Sequence, residues 1–163
     1  MRVRAMSLAA VLLAAALVAP AGAPAQAAIV ECDIPGAVID GGPGDDILRG
    51  TPYADVIRGH GGDDTVEGGG GSDTIYGGDG QDSIFGGDCP DTLRGNDGDD
   101  LVAGMDGDDT VYGNLGDDYL IGGDGQDDVD GGSGDDQCSN DPSTNSFDII
   151  YLIGLGGDTP YAC

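Results

Sequence analysis

The sequence predicts an all-β chain wound as a parallel solenoid, and three observations predict it. From Gly41 to Ser139 the residues fall into eleven consecutive nonapeptides without a gap. Position one of every copy is Gly, from Gly41 to Gly131, and position six is Asp, from Asp46 to Asp136. Position eight is aliphatic in every copy but the last, where it is Cys138. A chain that is merely glycine-rich places its glycines anywhere. A register held over eleven copies makes each copy one unit stacked on others.

Taken in order, residues 1–27 read as a signal peptide. Arg2 and Arg4 precede an apolar run from Ala5 to Ala19, then Pro20, small residues and Ala25-Gln26-Ala27, which suits a signal peptidase. The apolar run is shorter than the ~20 residues of a membrane span, so a secreted, extracellular protein with no membrane span is expected. Residues 28–40 are expected to form an N-terminal cap, in which Ile39 keeps the eighth place of a decayed coil. Residues 41–139 form the roll. Beyond Ser139 the register fails: NDPSTNS reads as a loop, and FDIIYLIGLGG as an apolar strand. Residues 140–163 are expected to cap the roll, with Ile149, Ile150, Leu152 and Ile153 closing the open core edge.

Within one copy, positions one to six are rich in Gly, Asp, Asn, Ser and Pro, the residues of turns. Positions seven to nine, with frequent β-branched residues, predict a very short strand. Alternation sends position eight inward and positions seven and nine outward. The predicted core is therefore Leu48, Ile57, Val66, Ile75, Ile84, Leu93, Val102, Val111, Leu120 and Val129. The outer faces carry Thr65, Thr74, Thr92, Thr110, Arg49, Arg58, Tyr76 and Tyr112. One full coil takes two copies, 18 residues. Copies n and n+2 then stack about 4.8 Å apart, giving two small parallel sheets, one of odd copies and one of even copies.

The formal charge is −26, and −28 without the leader, which holds two of the five basic residues and no acid. Such a chain repels nucleic acid and anionic membranes and attracts cations. Stacking brings position-six aspartates of copies n and n+2 to about 5 Å. Two such charges repel by roughly 0.8 kcal/mol in water and about 3 kcal/mol at an effective dielectric of 20. The core is one side chain deep, so the metal-free roll should be marginal. Carboxylate and carbonyl oxygens in flexible turns suit Ca2+, which takes six to eight oxygens, better than Mg2+.

The copies match GGxGxDxUx, and the chain resembles the RTX (repeats-in-toxin) calcium-binding family over about 99 residues, Gly41 to Ser139. With its leader and cysteines it is similar to small secreted calcium-binding proteins of bacteria. The resemblance implies a right-handed parallel β-roll of eleven nonapeptide repeats with short capping segments. It implies Ca2+ between the turns of copies n and n+2, held by turn carbonyls and by Asp46, Asp55, Asp64, Asp73, Asp82, Asp91, Asp100, Asp109, Asp118, Asp127 and Asp136. Eleven copies leave at most nine such gaps, five in the odd stack and four in the even one. Copy two departs from the pattern with Tyr53 and Ala54, and copy six with Cys89 and Pro90, so these turns are expected to hold Ca2+ weakly or not at all. Leu115 in copy nine is a minor change.

Four cysteines behind an export signal suggest two disulfides. Three connectivities exist. Pairing Cys138 with Cys163, which would close the C-terminal part, leaves Cys32 with Cys89. With no CxxC pair and His60 as the single histidine, zinc is not expected. No catalysis is expected either. The carboxylates recur as a repeat and form no singular constellation, and Ser72, Ser83 and Ser133 have no base beside them in the repeat. The function expected is that of a monomeric calcium-ion-binding protein. The alternative is a structural or adhesive protein that binds an extracellular surface (polysaccharide, cell envelope or ice) through its flat face; the apolar strand FDIIYLIGLGG would serve a protein partner if it does not cap the roll. Thr74, Thr92 and Thr110 in the even stack form the one short regular run that favours it.

Overall fold

A computed structural model describes residues 31–139 and 149–150. The expected signal peptide lies outside these residues, as do the cap residues 140–148 and 151–163. A short 3-10 turn, Glu31–Asp33, precedes β1 (Pro35–Asp40). Then follow β2 (Ile47–Arg49), β3 (Ala54–Gly61), β4 (Thr65–Gly70), β5 (Thr74–Asp79), β6 (Ser83–Asp88) and β7 (Thr92–Asp97). The series continues with β8 (Leu101–Asp106), β9 (Thr110–Leu115), β10 (Tyr119–Asp124), β11 (Asp128–Ser133), β12 (Gln137–Ser139) and β13 (Ile149–Ile150). All pairings are parallel, in a seven-stranded sheet β1-β3-β5-β7-β9-β11-β13 and a six-stranded sheet β12-β10-β8-β6-β4-β2. Even copies thus build one sheet and odd copies the other. The chain is a parallel β-solenoid of about six turns.

The register follows the nonapeptide. Val66 pairs with Ile84, and Ile84 with Val102. On the other side Ile57 pairs with Ile75, and Ile75 with Leu93. Position eight is the core: Ile57, Val66, Ile75, Ile84, Leu93, Val102, Val111, Leu120 and Val129 are sealed from solvent, and Ile39, Leu48 and Cys138 pack partly buried against them. Ile39 pairs with Ile57, so β1 is indeed a decayed coil that opens the even stack. At the far end, Ile149 and Ile150 pair with Asp128 and Val129 and extend the same sheet.

The strands are longer than their sequence predicts. Most run for six residues, from position seven through position three of the next copy. Glycine-rich stretches normally make poor strands. Here each backbone group at positions one to three meets an in-register partner 18 residues away, as in Gly69 with Gly87, and that ladder outweighs local propensity. The chain bends inside each strand because position two lies in the left-handed region. His60, Asn96, Met105 and Asn114 take φ of 81–85° there.

The outer face of the seven-stranded sheet is ordered in rows. Position nine reads Asp40, Arg58, Tyr76, Arg94, Tyr112 and Asp130 in successive rungs. The Arg94 guanidinium lies 4.1 Å from the centre of the Tyr112 ring, and Arg58 reaches Asp40 at 3.3 Å. Beside this row, Thr74, Thr92 and Thr110 stand in register. Cys32 and Cys89 form a disulfide. Cys138 is also disulfide-bonded; its expected partner, Cys163, lies outside the described residues.

Candidate metal centre

Each position-six aspartate follows the turn and precedes a strand, which points its side chain back into the coil. Asp55, Asp64, Asp73, Asp82, Asp91, Asp100, Asp109, Asp118, Asp127 and Asp136 are all 1–4% exposed, and Asp46 at the first coil is half-buried. Burying so many carboxylates demands partners. Half of each carboxylate finds one. Asp64 Oδ1 accepts the Asp46 amide at 2.8 Å, and the link repeats from Asp64 to Asp82, Asp100, Asp118 and Asp136. The even stack runs the same way from Asp55 through Asp73, Asp91 and Asp109 to Asp127. The aspartates therefore stand in two continuous columns, one per stack.

In seven of these copies the other oxygen is left over, while at Asp46 Oδ2 accepts the Gly42 amide at 2.6 Å. Oδ2 of Asp64, Asp73, Asp82, Asp91, Asp100, Asp109 and Asp118 is fully buried and meets no hydrogen-bond donor. It lies against the position-one glycine of its own copy. The carbonyl oxygen of the position-one glycine two copies on lies against the same point. On Gly86, a Cβ would sit 2.7 Å from the Gly104 carbonyl oxygen and closer still to Asp91 Oδ2. This explains why position one is always Gly. A carbonyl oxygen and a carboxylate oxygen without a donor converge there, and a proton or a cation is what that carboxylate oxygen lacks.

The carboxyls respond accordingly. Burial, only partly offset by the amide donor, pushes Asp91 up to about 8 and Asp100 and Asp109 to about 7, with neighbouring aspartates adding to the rise. Burial likewise raises Asp73 and Asp118 to about 6, and lifts Asp64, Asp82 and Asp136. Among the described residues no three acidic, His or Cys side chains converge on one point. Any ion here would take most of its oxygens from the backbone, which suits a hard cation with many oxygen ligands.

Two irregular copies part ways. In copy six Asp91 keeps the common arrangement beside Cys89 and Pro90, its Oδ1 accepting the Asp73 amide and its Oδ2 without a donor. In copy two Asp55 does not: the Thr51 amide and hydroxyl and the Ala37 amide donate to its two oxygens. The sequence reading missed this role of Thr51, although Thr at position two occurs in no other copy. It also missed a second, exposed acidic row at position five. Asp45, Asp63, Asp99, Asp108 and Asp117 each accept the position-five amide two copies on, at 2.9–3.0 Å. The recurrent Asp-Asp pair was its signal. Among the described residues no helix is long and apolar enough to cross a membrane.

A family model described as the RTX calcium-binding nonapeptide repeat (4 copies) matches residues 40–75, 59–88, 67–102, 76–110, 90–120 and 103–138. Together these matches cover residues 40–138, more than half of the 163-residue chain. No curated protein and no solved structure matches it.

Proposed function

Since the chain belongs to the family of RTX calcium-binding nonapeptide repeat proteins, we propose that it is a secreted calcium-ion-binding protein whose roll folds as several Ca2+ ions settle between successive turns. The observation that carries this reading is the row of buried Oδ2 atoms without donors, each facing a glycine carbonyl oxygen. The ligand carboxylates are Asp46, Asp64, Asp73, Asp82, Asp91, Asp100, Asp109, Asp118, Asp127 and Asp136, with Asp55 the weakest of the set. Ions number at most nine. Bound Ca2+ would supply the positive charge that lets buried carboxylates stay ionised. The protein's part is to fix each carboxylate through its amide hydrogen bond, to bring a carbonyl from the next coil, and to clear the space with glycine. Export is supported by the leader-like residues 1–27 and by the Cys32–Cys89 disulfide, a bond of oxidising compartments.

The test is folding. Lacking the leader and held in chelator, the chain is expected to give a coil spectrum in circular dichroism, and a β spectrum as Ca2+ rises to millimolar levels. Metal binding of this kind is folding free energy. A β spectrum indifferent to excess chelator would overturn the reading. A second reading, adhesion to an extracellular surface through the seven-stranded face, is favoured by the in-register Thr74, Thr92 and Thr110 beside Tyr76, Arg94 and Tyr112. Pull-down from culture supernatant with and without Ca2+ tests it.

A further inference from the structure

The N-terminal end of the roll is built differently from the rest. At Asp55 every carboxylate oxygen already has a donor: Oδ1 accepts from Ala37 and the Thr51 hydroxyl, and Oδ2 from the Thr51 amide at 2.5 Å and hydroxyl at 3.0 Å. Ala37 stands where an aspartate would stand in a regular copy, so the decayed coil brings no position-six carboxylate to this gap. The turn of copy two therefore needs no cation to settle the Asp55 carboxylate, whereas Asp64, Asp73 and Asp82 keep an Oδ2 without a donor.

A second observation concerns the chain just before β1. The Cys32 carbonyl accepts the Ser72 amide of copy four at 2.7 Å, and the Cys32 side chain is bonded to Cys89 of copy six. The lead-in is thus strapped over the turns of the even stack, and the disulfide closes a loop between cysteines 57 positions apart. Cys89 sits at position four with φ of 85°, a conformation that glycine supplies in most other copies. An L side chain is strained in this region, so the crosslink is held at a cost to the turn. Closing the loop lowers the entropy the chain loses on folding.

We propose that residues 32–89 are the nucleus of the roll: they order at a lower Ca2+ level than residues 95–139, and order then spreads from them coil by coil towards the C-terminus. The proposal rests on the reading that Ca2+ drives folding. In a stack where each coil touches only its neighbours, whichever end forms first sets the direction of growth. The Cys32–Cys89 disulfide thereby sets the Ca2+ level at which the whole roll begins to form.

Amide hydrogen exchange read by mass spectrometry along a Ca2+ titration of the oxidised leaderless protein tests this. Peptides within 35–88 should gain protection at a Ca2+ level several-fold below that of peptides within 95–137. Cys32→Ser with Cys89→Gly removes the strap while restoring glycine to the turn, and should raise the N-terminal midpoint to the C-terminal one. Thr51→Val, with the disulfide intact, removes the hydroxyl from Asp55 but leaves both amide donors, and should raise the N-terminal midpoint by less than the double substitution does. Equal midpoints in the oxidised protein, C-terminal protection first, or an N-terminal midpoint unmoved by the double substitution would overturn the nucleus. Protection of the whole roll in chelator would instead remove Ca2+-driven folding itself, and the nucleus with it.

Discussion

Asp109 has two duties that can be separated. Its Oδ1 holds the Asp91 amide, and its Oδ2 has no donor. Asp109→Asn keeps an acceptor for that amide and removes the buried charge. It should stabilise the chelated protein yet raise the Ca2+ midpoint several-fold, measured by circular dichroism. Asp109→Ala also orphans the amide, at a cost of about 1–3 kcal/mol, and should weaken both states. Asp55→Ala breaks the Thr51 and Ala37 bonds and should raise the midpoint of the N-terminal coils, but should shift the Ca2+ response of the later copies less than Asp109→Ala does. Equal Ca2+ shifts at Asp55 and Asp109 would contradict this. Met105 poses a different case, an exposed side chain at φ of 84°. Met105→Gly should stabilise the calcium-loaded roll by up to about 1 kcal/mol, because the left-handed region costs an L side chain roughly 1–2 kcal/mol and glycine returns part of that as chain entropy. A Tm unchanged or lowered would show that the strain is relieved elsewhere. Such details were beyond the sequence. The nonapeptide marks Asp109 as a ligand candidate, but only the stacked backbone reveals which oxygen is occupied.

A column of buried carboxyls makes the strands sensitive to pH. Asp91, Asp100 and Asp109 titrate near 7–8 in the fold, above the 3.8 of an exposed aspartate. The folded state therefore binds more protons than the unfolded one. That stabilisation is complete below about pH 4 and is lost as pH rises through 6–8. In chelator the β signal should be stronger at pH 5 than at pH 8, while saturating Ca2+ should flatten the profile. A chelated β signal that grows with pH would have the wrong sign. At this scale most of the fold was legible: a two-copy coil, odd and even sheets, and a core of position-eight residues such as Val66 and Leu93 all follow from the period. Strand length was not, because the partners of Gly68 to Gly70 lie 18 residues away and glycine's propensity hides them. The disposition of Thr51 was equally hidden, since the sequence does not show that its amide and hydroxyl turn onto the Asp55 carboxylate.

For the whole molecule, the ends decide how it behaves in company. Ile149 and Ile150 lie on the last even rung, beside Asp128 and Val129. A chain ending at Ser139 leaves that rung bare, and an exposed strand edge recruits other chains. It should need more Ca2+ to fold and should self-associate once folded. Sedimentation showing a monomer at an unchanged Ca2+ midpoint would remove the capping role of residues 140–163.

The direction of the hydrogen bonds has a mechanical consequence. In both sheets they run along the axis of the roll, from rung to rung. A force applied to the two ends opens these bonds one rung after another rather than shearing many at once. Each coil that lets go frees 18 residues, about 60 Å of extended chain, so extension proceeds in even steps under low tension. The span between Cys32 and Cys89 is withheld from this. It adds no length until the disulfide is cut, and the protein is a yielding spring at one end and a short inextensible one at the other.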